Sequence, residues 1–262
     1  MWVVTWQGPG DQAELLLCED GLAGAEEQNL ADGRMQLRLF FTEEPVAREL
    51  ARREQATLQW ESDAPPLAYQ QEWQPIEVGA RFFLRPPWSE AETPAGRIGL
   101  IMEPGAVFGS GDHATTQLCL ALLEKAVTPD AVVLDAGTGT GILAVAAARL
   151  GAARVFAFDY DSEATAMARR ACEEAETRVH QWTGSWDSCR AGVATGLCAN
   201  LPGGLLLDAL PSLLPLVRRP GWLVLSGILD EQQEAVGRAL AGAASVTWHK
   251  QNEWCAAFVR LV

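Results

Sequence analysis

One stretch of this 262-residue chain has the residue types and spacing to hold a nucleotide-like ligand: Val133-Leu134-Asp135-Ala136-Gly137-Thr138-Gly139-Thr140-Gly141-Ile142-Leu143. An apolar run ending on an acid passes into alternate glycines, then into an alanine-rich helical run. Glycines adopt positive φ and let the backbone approach a ligand closely. The start of the following helix offers free N–H groups. Twenty-two residues past Gly137, Asp159 closes a second apolar run. A carboxylate there can accept hydrogen bonds from both hydroxyls of a ribose. Two ligands compete for such a site. A dinucleotide needs G-x-G-x-x-G, so that its pyrophosphate rests on the helix start. Here the third glycine would fall at Ile142, and Asp135 would repel a pyrophosphate. A sulfonium amino acid is cationic and tolerates that acid. The pattern favours S-adenosylmethionine over NAD, with Asp135, Gly137, Gly139 and Asp159 as contacts. A tight turn that binds nothing is the remaining alternative.

A second stretch, Glu103-Pro104-Gly105-Ala106-Val107-Phe108-Gly109-Ser110-Gly111-Asp112-His113-Ala114-Thr115-Thr116, reads as a shaped loop entering a helix. Glycine-rich, polar segments of this kind make defined turns rather than plain connections. Phe108 is a candidate cofactor contact. Thr115 and Thr116 bring hydroxyls to a helix start, either as caps or as ligand contacts. His113 is either a base or a residue that orders the loop. Further on, Trp186 in Gly184-Ser185-Trp186-Asp187 offers a ring to stack on adenine; a place at the rim or in the core is equally open.

The elements that must position these residues follow from periodicity. Strands are expected at Ala131–Leu134, Arg154–Phe158, Arg178–Trp182, Gly196–Ala199 and Gly221–Ser226. Helices alternate with them at Thr115–Lys125, Ile142–Leu150, Ser162–Glu176, within Leu205–Val217, and at Asp230–Ala241. Asp161 or Ser162 is expected to cap the third. Ser245–His249 and Cys255–Leu261 close the chain as a hairpin. Such alternation implies an α/β fold with a doubly wound, mostly parallel sheet. Before it, Trp2–Trp6, Met35–Phe41 and Thr57–Glu61 read as strands and Pro45–Glu54 as a helix. Ile76–Leu84 reads as a hairpin around Gly79. The organisation expected is a small α+β domain over 1–70, a linker region over 71–97 and the larger domain over 98–262.

Composition limits the partners. The chain has 34 acidic and 20 basic residues, a net charge of −14, with 48% hydrophobic and 21% charged residues. That is globular composition. Residues 1–95 hold 17 acids and 7 bases, and the remainder 17 and 13, so most of the net charge falls early. An acidic chain suits neither direct nucleic-acid binding, which needs a basic face, nor an anionic membrane. An acidic first third does suit a basic protein partner. The six cysteines form no C-x-x-C pair and no histidine stands at zinc spacing, so buried free thiols and no metal are expected. With no signal-like leader and no apolar stretch of spanning length, the expectation is a cytoplasmic protein, and a monomer.

Taken together, EPGAVFGSGDHATT, LDAGTGTGILA, Asp159 and Ala199-Asn200-Leu201 resemble the PrmA family, which methylates the eleventh protein of the large ribosomal subunit. The resemblance is close over about 70–262. Gly221–Leu229 and the segment from Glu72-Trp73 to Pro87-Trp88 are also similar to the family's pattern. It implies a class I, Rossmann-like methyltransferase domain behind a small substrate-recognition domain, with S-adenosylmethionine as donor and lysine or N-terminal amines as acceptors. It also implies roles: Thr116 contacts the donor, Gly137 opens its turn and Asp159 binds its ribose. Asn200 lies beside the donor methyl and the incoming amine, as the catalytic residue. A structural alternative for Asn200 is that it only ends a strand. The chain departs from the family at Ser110, where Thr is usual, and at Ala194-Thr195-Gly196, which lacks the usual acid. It departs again at Pro202-Gly203-Gly204.

Overall fold

The computed structural model describes residues 1–9, 12–13, 16, 21–30, 33–60, 73–101 and 111–262. They fall into two compact units, Met1–Glu72 and Trp73–Val262.

The first unit is one antiparallel sheet with a helix on it. Its strands β1 (Trp2–Gly8), β2 (Leu22–Asn29), β3 (Met35–Phe41) and β4 (Thr57–Trp60) lie in the order β2-β3-β1-β4. Strict alternation in β3 turns Leu37, Leu39 and Phe41 inward, and pairing sets Leu39 against Val4 and Leu37 against Trp6. Helix α1 (Glu44–Arg53) starts with Pro45 in its first turn and buries Ala47, Leu50 and Ala51 against this face.

The second unit holds two sheets. Strands β5 (Ile76–Val78), β6 (Phe82–Arg85) and β7 (Ile98–Ile101) form a small one, in which β5 and β6 are the hairpin around Gly79. Their buried Val78, Phe82, Leu84 and Leu100 share a core with helix α2 (Ala114–Ala126). Glu124 of α2 clamps the hairpin, accepting the Ala80 and Arg81 N–H groups at 3.0 and 3.1 Å.

The large sheet contains β8 (Val132–Ala136), β9 (Arg154–Asp159), β10 (Val179–Thr183), β11 (Ala194–Asn200), β12 (Val217–Leu229), β13 (Ser245–Gln251) and β14 (Trp254–Leu261). Its order is β10-β9-β8-β11-β12-β14-β13. The first five run parallel, and β14 and β13 add an antiparallel hairpin. Helices α3 (Ile142–Arg149), α4 (Ser162–Glu174), α5 (Gly203–Leu213) and α6 (Gln233–Ala239) connect the strands. Two apolar cores, one on each face, include Leu134, Leu197 and Leu206 in the first and Leu123, Ile142 and Val224 in the second. Chain order runs outward from β8 to β10, then returns to β11 on the other side of β8. That reversal opens a crevice at the carboxyl ends of β8 and β11, the place where open α/β sheets bind ligands.

Among the described residues no helix is long and apolar enough to cross a membrane. Cys119, Cys172, Cys198 and Cys255 are buried free thiols and Cys189 is partly exposed; Cys18 lies outside the described residues.

Candidate functional site

Four of the residues singled out above converge on the crevice. Asp135 lies in β8, one residue before its end, and Asn200 ends β11; Asp159 ends β9 and Thr116 lies in the first turn of α2.

The glycine turn is built as its residue types require. Gly137, Gly139 and Gly141 have φ of 73°, 53° and 86°. At Gly141 a Cβ would meet the Ala168 backbone of α4 at 2.7 Å, so this glycine lets two helices touch. At Gly137 a Cβ would meet Leu201 at 2.4 Å. The turn is tied to the second strand by the Gly137 and Thr138 N–H groups, which donate to Phe158 O at 2.9 and 3.0 Å. Asp159 adds two more ties: its Oδ2 accepts the Gly139 N–H at 3.0 Å and its Oδ1 the Asp161 N–H at 3.1 Å. Asp161 then caps α4 by accepting the Glu163 N–H at 2.8 Å.

Asp135 is 1% exposed. Its Oδ2 accepts the Thr138 hydroxyl at 2.7 Å, and Oδ1 has no partner among the described residues. Burial pushes its pKa up to about 7; the Thr138 hydrogen bond opposes this and the charge of Asp159 adds to it. The fold therefore keeps this proton longer than the unfolded chain, whose Asp titrates near 3.8. Between those two values the folded protein binds more protons, so this group's contribution makes stability fall as pH rises through the window. Asp135→Asn, neutral at every pH, should flatten that fall. On going from pH 5 to pH 8 without ligand, the wild type should lose more melting temperature than the variant, by at least about 3 °C. Parallel curves for the two proteins would count against a protonated Asp135.

Asn200 is nearly buried, and its Nδ2 donates to the Thr116 hydroxyl at 3.3 Å. Its Oδ1 has no partner among the described residues. Thr116 is free for this contact because neither threonine caps α2. His113 does: its Nδ1 lies 3.4 Å from the Thr115 N–H and 2.8 Å from the Thr115 hydroxyl. The histidine orders the helix start.

The chain leaves Asn200 through a tight crossing. Leu201 N donates to Ser226 O at 3.1 Å, and the Leu201 carbonyl lies 2.0 Å from where a Cβ on Gly227 would be. Gly227 also has φ 84°. Gly227→Ala therefore meets both a left-handed backbone and a backbone atom that cannot swing away. It should cost more than about 2 kcal/mol in denaturant unfolding; a loss below about 0.5 kcal/mol would show that the crossing yields easily.

Departures from the family pattern also have local explanations. Thr195 pins the starts of β11 and β8, accepting Val132 N–H at 2.8 Å and donating to Val132 O at 3.1 Å. Gly196 makes room for the Trp222 ring, which would lie 2.1 Å from a Cβ. Gly203 does the same for the Gln232 side chain, at 2.0 Å. Trp186 sits half-buried in a 3₁₀ turn (Trp186–Ser188), packed against the core; Phe108 and Ser110 lie outside the described residues.

Five parallel strands continued by an antiparallel hairpin, with a glycine turn after β8 and acids at the ends of β8 and β9, define the class I methyltransferase fold. Within that class, the family described as "Ribosomal protein L11 methyltransferase (PrmA)" matches residues 36–261. The chain belongs to this family. It is 36% identical over 191 residues to the ribosomal protein L11 methyltransferase of Symbiobacterium thermophilum, covering 72% of this chain and 63% of the relative. With that of Pelotomaculum thermopropionicum it is 37% identical over 198 residues, 74% of this chain and 64% of the relative. The chain thus spans somewhat under two thirds of these relatives' length. The crystal structure of ribosomal protein L11 methylase from Lactobacillus delbrueckii subsp. bulgaricus superposes with a TM-score of 0.66 at 27% identity, covering 72% of this chain and all of that one.

Proposed function

We propose that this protein is an S-adenosylmethionine-dependent N-methyltransferase that acts on lysine or N-terminal amines of ribosomal protein L11. Family membership supports the reaction class, and the names of the relatives support the acceptor. The observation that carries the chemistry is the Asn200 carboxamide: one end held by Thr116, the other a buried oxygen with nothing to accept among the described residues. A buried acceptor left open is costly unless a ligand donates to it.

The residues present fit the donor. Gly137 and Gly139 shape the turn on which it would lie, and Asp159 keeps lone pairs for ribose hydroxyls beyond its two backbone bonds. Asp135, which keeps its proton up to about pH 7 in the ligand-free fold, has an unpartnered Oδ1, and a cationic amino-acid end beside it would draw the acid into its ionised form. Trp186 stands after β10 as a candidate adenine neighbour. When bound, S-adenosylmethionine supplies an electrophilic methyl group on a sulfonium. The chain's own part is alignment and desolvation. A lysine amine, ordinarily near pKa 10.4, loses its proton more readily in a desolvated crevice. Asn200 Oδ1 then accepts an N–H of the neutral amine and aims its lone pair at the methyl. No side chain has to act as base, since water can carry the proton away.

The acidic first unit is the proposed recognition surface for a basic protein. Incubation with labelled donor and purified large-subunit ribosomal proteins tests the whole reading: label should appear on L11. Donor binding without label on any ribosomal protein would move the acceptor elsewhere.

A further inference from the structure

The turn between β13 and β14 lies at the same edge of the sheet as the glycine turn. It does so because β14 runs antiparallel to β12, pairing Trp254 with Leu229 at the carboxyl end of that strand. From there it reaches the start of α2 twice. The Trp254 ring stands edge-on to His113, with centroids 4.9 Å apart and planes at 68°. Such a contact fixes an imidazole's plane as well as its place. Gln251 Nε2 donates to Gln117 Oε1 at 3.0 Å, and Gln117 in turn donates to Asp112 O at 2.7 Å. His113 and Gln117 flank Thr116 in the chain. The same turn also holds the end of β12. Asp230 N donates to Glu253 O at 3.0 Å, and Lys250 forms an ion pair with Asp230. Ser226, the register partner of Asn200, donates its hydroxyl to Cys255 O at 3.4 Å.

We propose that Trp254 is a positioning residue for methyl transfer: it fixes His113, hence the first turn of α2 and Thr116, and through Thr116 the orientation of the Asn200 carboxamide. The inference rests on reading Asn200 as the residue that orients the acceptor amine. No contact between Trp254 and donor or substrate is needed. A carboxamide held by one 3.3 Å bond is only as well aimed as the hydroxyl that holds it. That hydroxyl is set by the cap, and the cap is set by the indole.

The full-length chain with Trp254→Ala and Trp254→Phe tests this by two independent readouts. The first is kinetic, with L11 as acceptor. Trp254→Ala should lower kcat about tenfold while the donor Kd stays within about twofold, and Trp254→Phe should recover most of kcat. The second needs no turnover. The chain has three asparagines, Asn29, Asn200 and Asn252, so a protein labelled with ¹⁵N-asparagine gives three side-chain amide pairs, and Asn200→Ala assigns one of them. That pair should shift or broaden in Trp254→Ala and return near its place in Trp254→Phe. Asn200 signals unmoved in Trp254→Ala, or a fall in kcat matched by a rise in donor Kd with no rescue by Phe, would overturn the proposal. If Trp254→Ala does not fold, Trp254→Leu replaces it, with the same kcat loss and direction of shift expected; no shift overturns the proposal. If the wild type methylates no ribosomal protein, the functional reading fails, and the amide signals still decide the role of Trp254.

Discussion

Asp159→Ala should weaken S-adenosylmethionine binding by roughly 10- to 100-fold, read as Kd by calorimetry. The range corresponds to about 1.5–3 kcal/mol for lost hydrogen bonds to a charged acceptor. Position alone suggests a ribose-binding acid, and in the structure the carboxylate also holds two backbone N–H groups. Oδ2 holds the Gly139 N–H and Oδ1 the Asp161 N–H, so the same group that would receive the ribose also fixes the turn beneath the ligand. Alanine removes both functions, which argues for the upper part of the range. Asp159→Asn separates charge from geometry. A carboxamide has one acceptor oxygen, so one of the two backbone N–H groups must then face an NH₂. The asparagine variant should therefore lose nearly as much as alanine, although it is isosteric. An unchanged Kd in either variant contradicts the assigned role.

What was legible in the sequence divides by range. Where a signal is local, the residue pattern alone carries it. Met35–Phe41 alternates because one face of β3 is core, and its bounds follow from that alternation. The doubly wound sheet follows from the regular alternation after residue 114. Local signals fail at short or weakly patterned strands. Leu22–Asn29 reads L-A-G-A-E-E-Q-N, with neither alternation nor β-branched residues, and is a strand because β3 pairs with it along its length. Ile98–Ile101 has four residues, one of them glycine, and owes its state to pairing with β6. Strand β8 runs past Leu134 because Asp135 and Ala136 are held by Cys198 and Ala199 on one side and by Ala157 and Phe158 on the other. The acid is thus inside the sheet, and that burial explains its raised pKa.

The site shows the same limit. Single positions could be named as candidates: the glycines, Asp135 and Asp159 from their pattern, Thr116 and Asn200 through the family resemblance. The relation between them was not. Thr116 and Asn200 lie 84 residues apart and meet only because α2 packs across the sheet beside β11. His113 as the cap of α2 is a near-local event, yet the threonines beside it are stronger capping types. The helix begins at Ala114, which puts His113 at the cap position and both threonines inside the first turn, and Trp254, from the far end of the chain, packs against the imidazole.

Asn200→Ala should lower kcat about 100-fold and leave donor Kd within about threefold. A small misplacement of reacting groups costs a factor of that order. The donor should still bind, since Asp159 and the glycine turn are untouched. The amine should still enter, but with no acceptor to turn its lone pair toward the methyl. If Asn200 only ended β11, alanine would lower stability and leave the rate per folded molecule unchanged. The contact with Thr116 supplies a sharper test. Thr116→Val keeps the volume and removes the hydroxyl that receives Nδ2. Alone it should cost about tenfold in kcat, because the carboxamide is freed to flip. In the Asn200→Ala background it should cost almost nothing, because there is no carboxamide left to aim. That non-additivity is the coupling a double-mutant cycle isolates. Additive losses would mean that Thr116 reaches the reaction by another route.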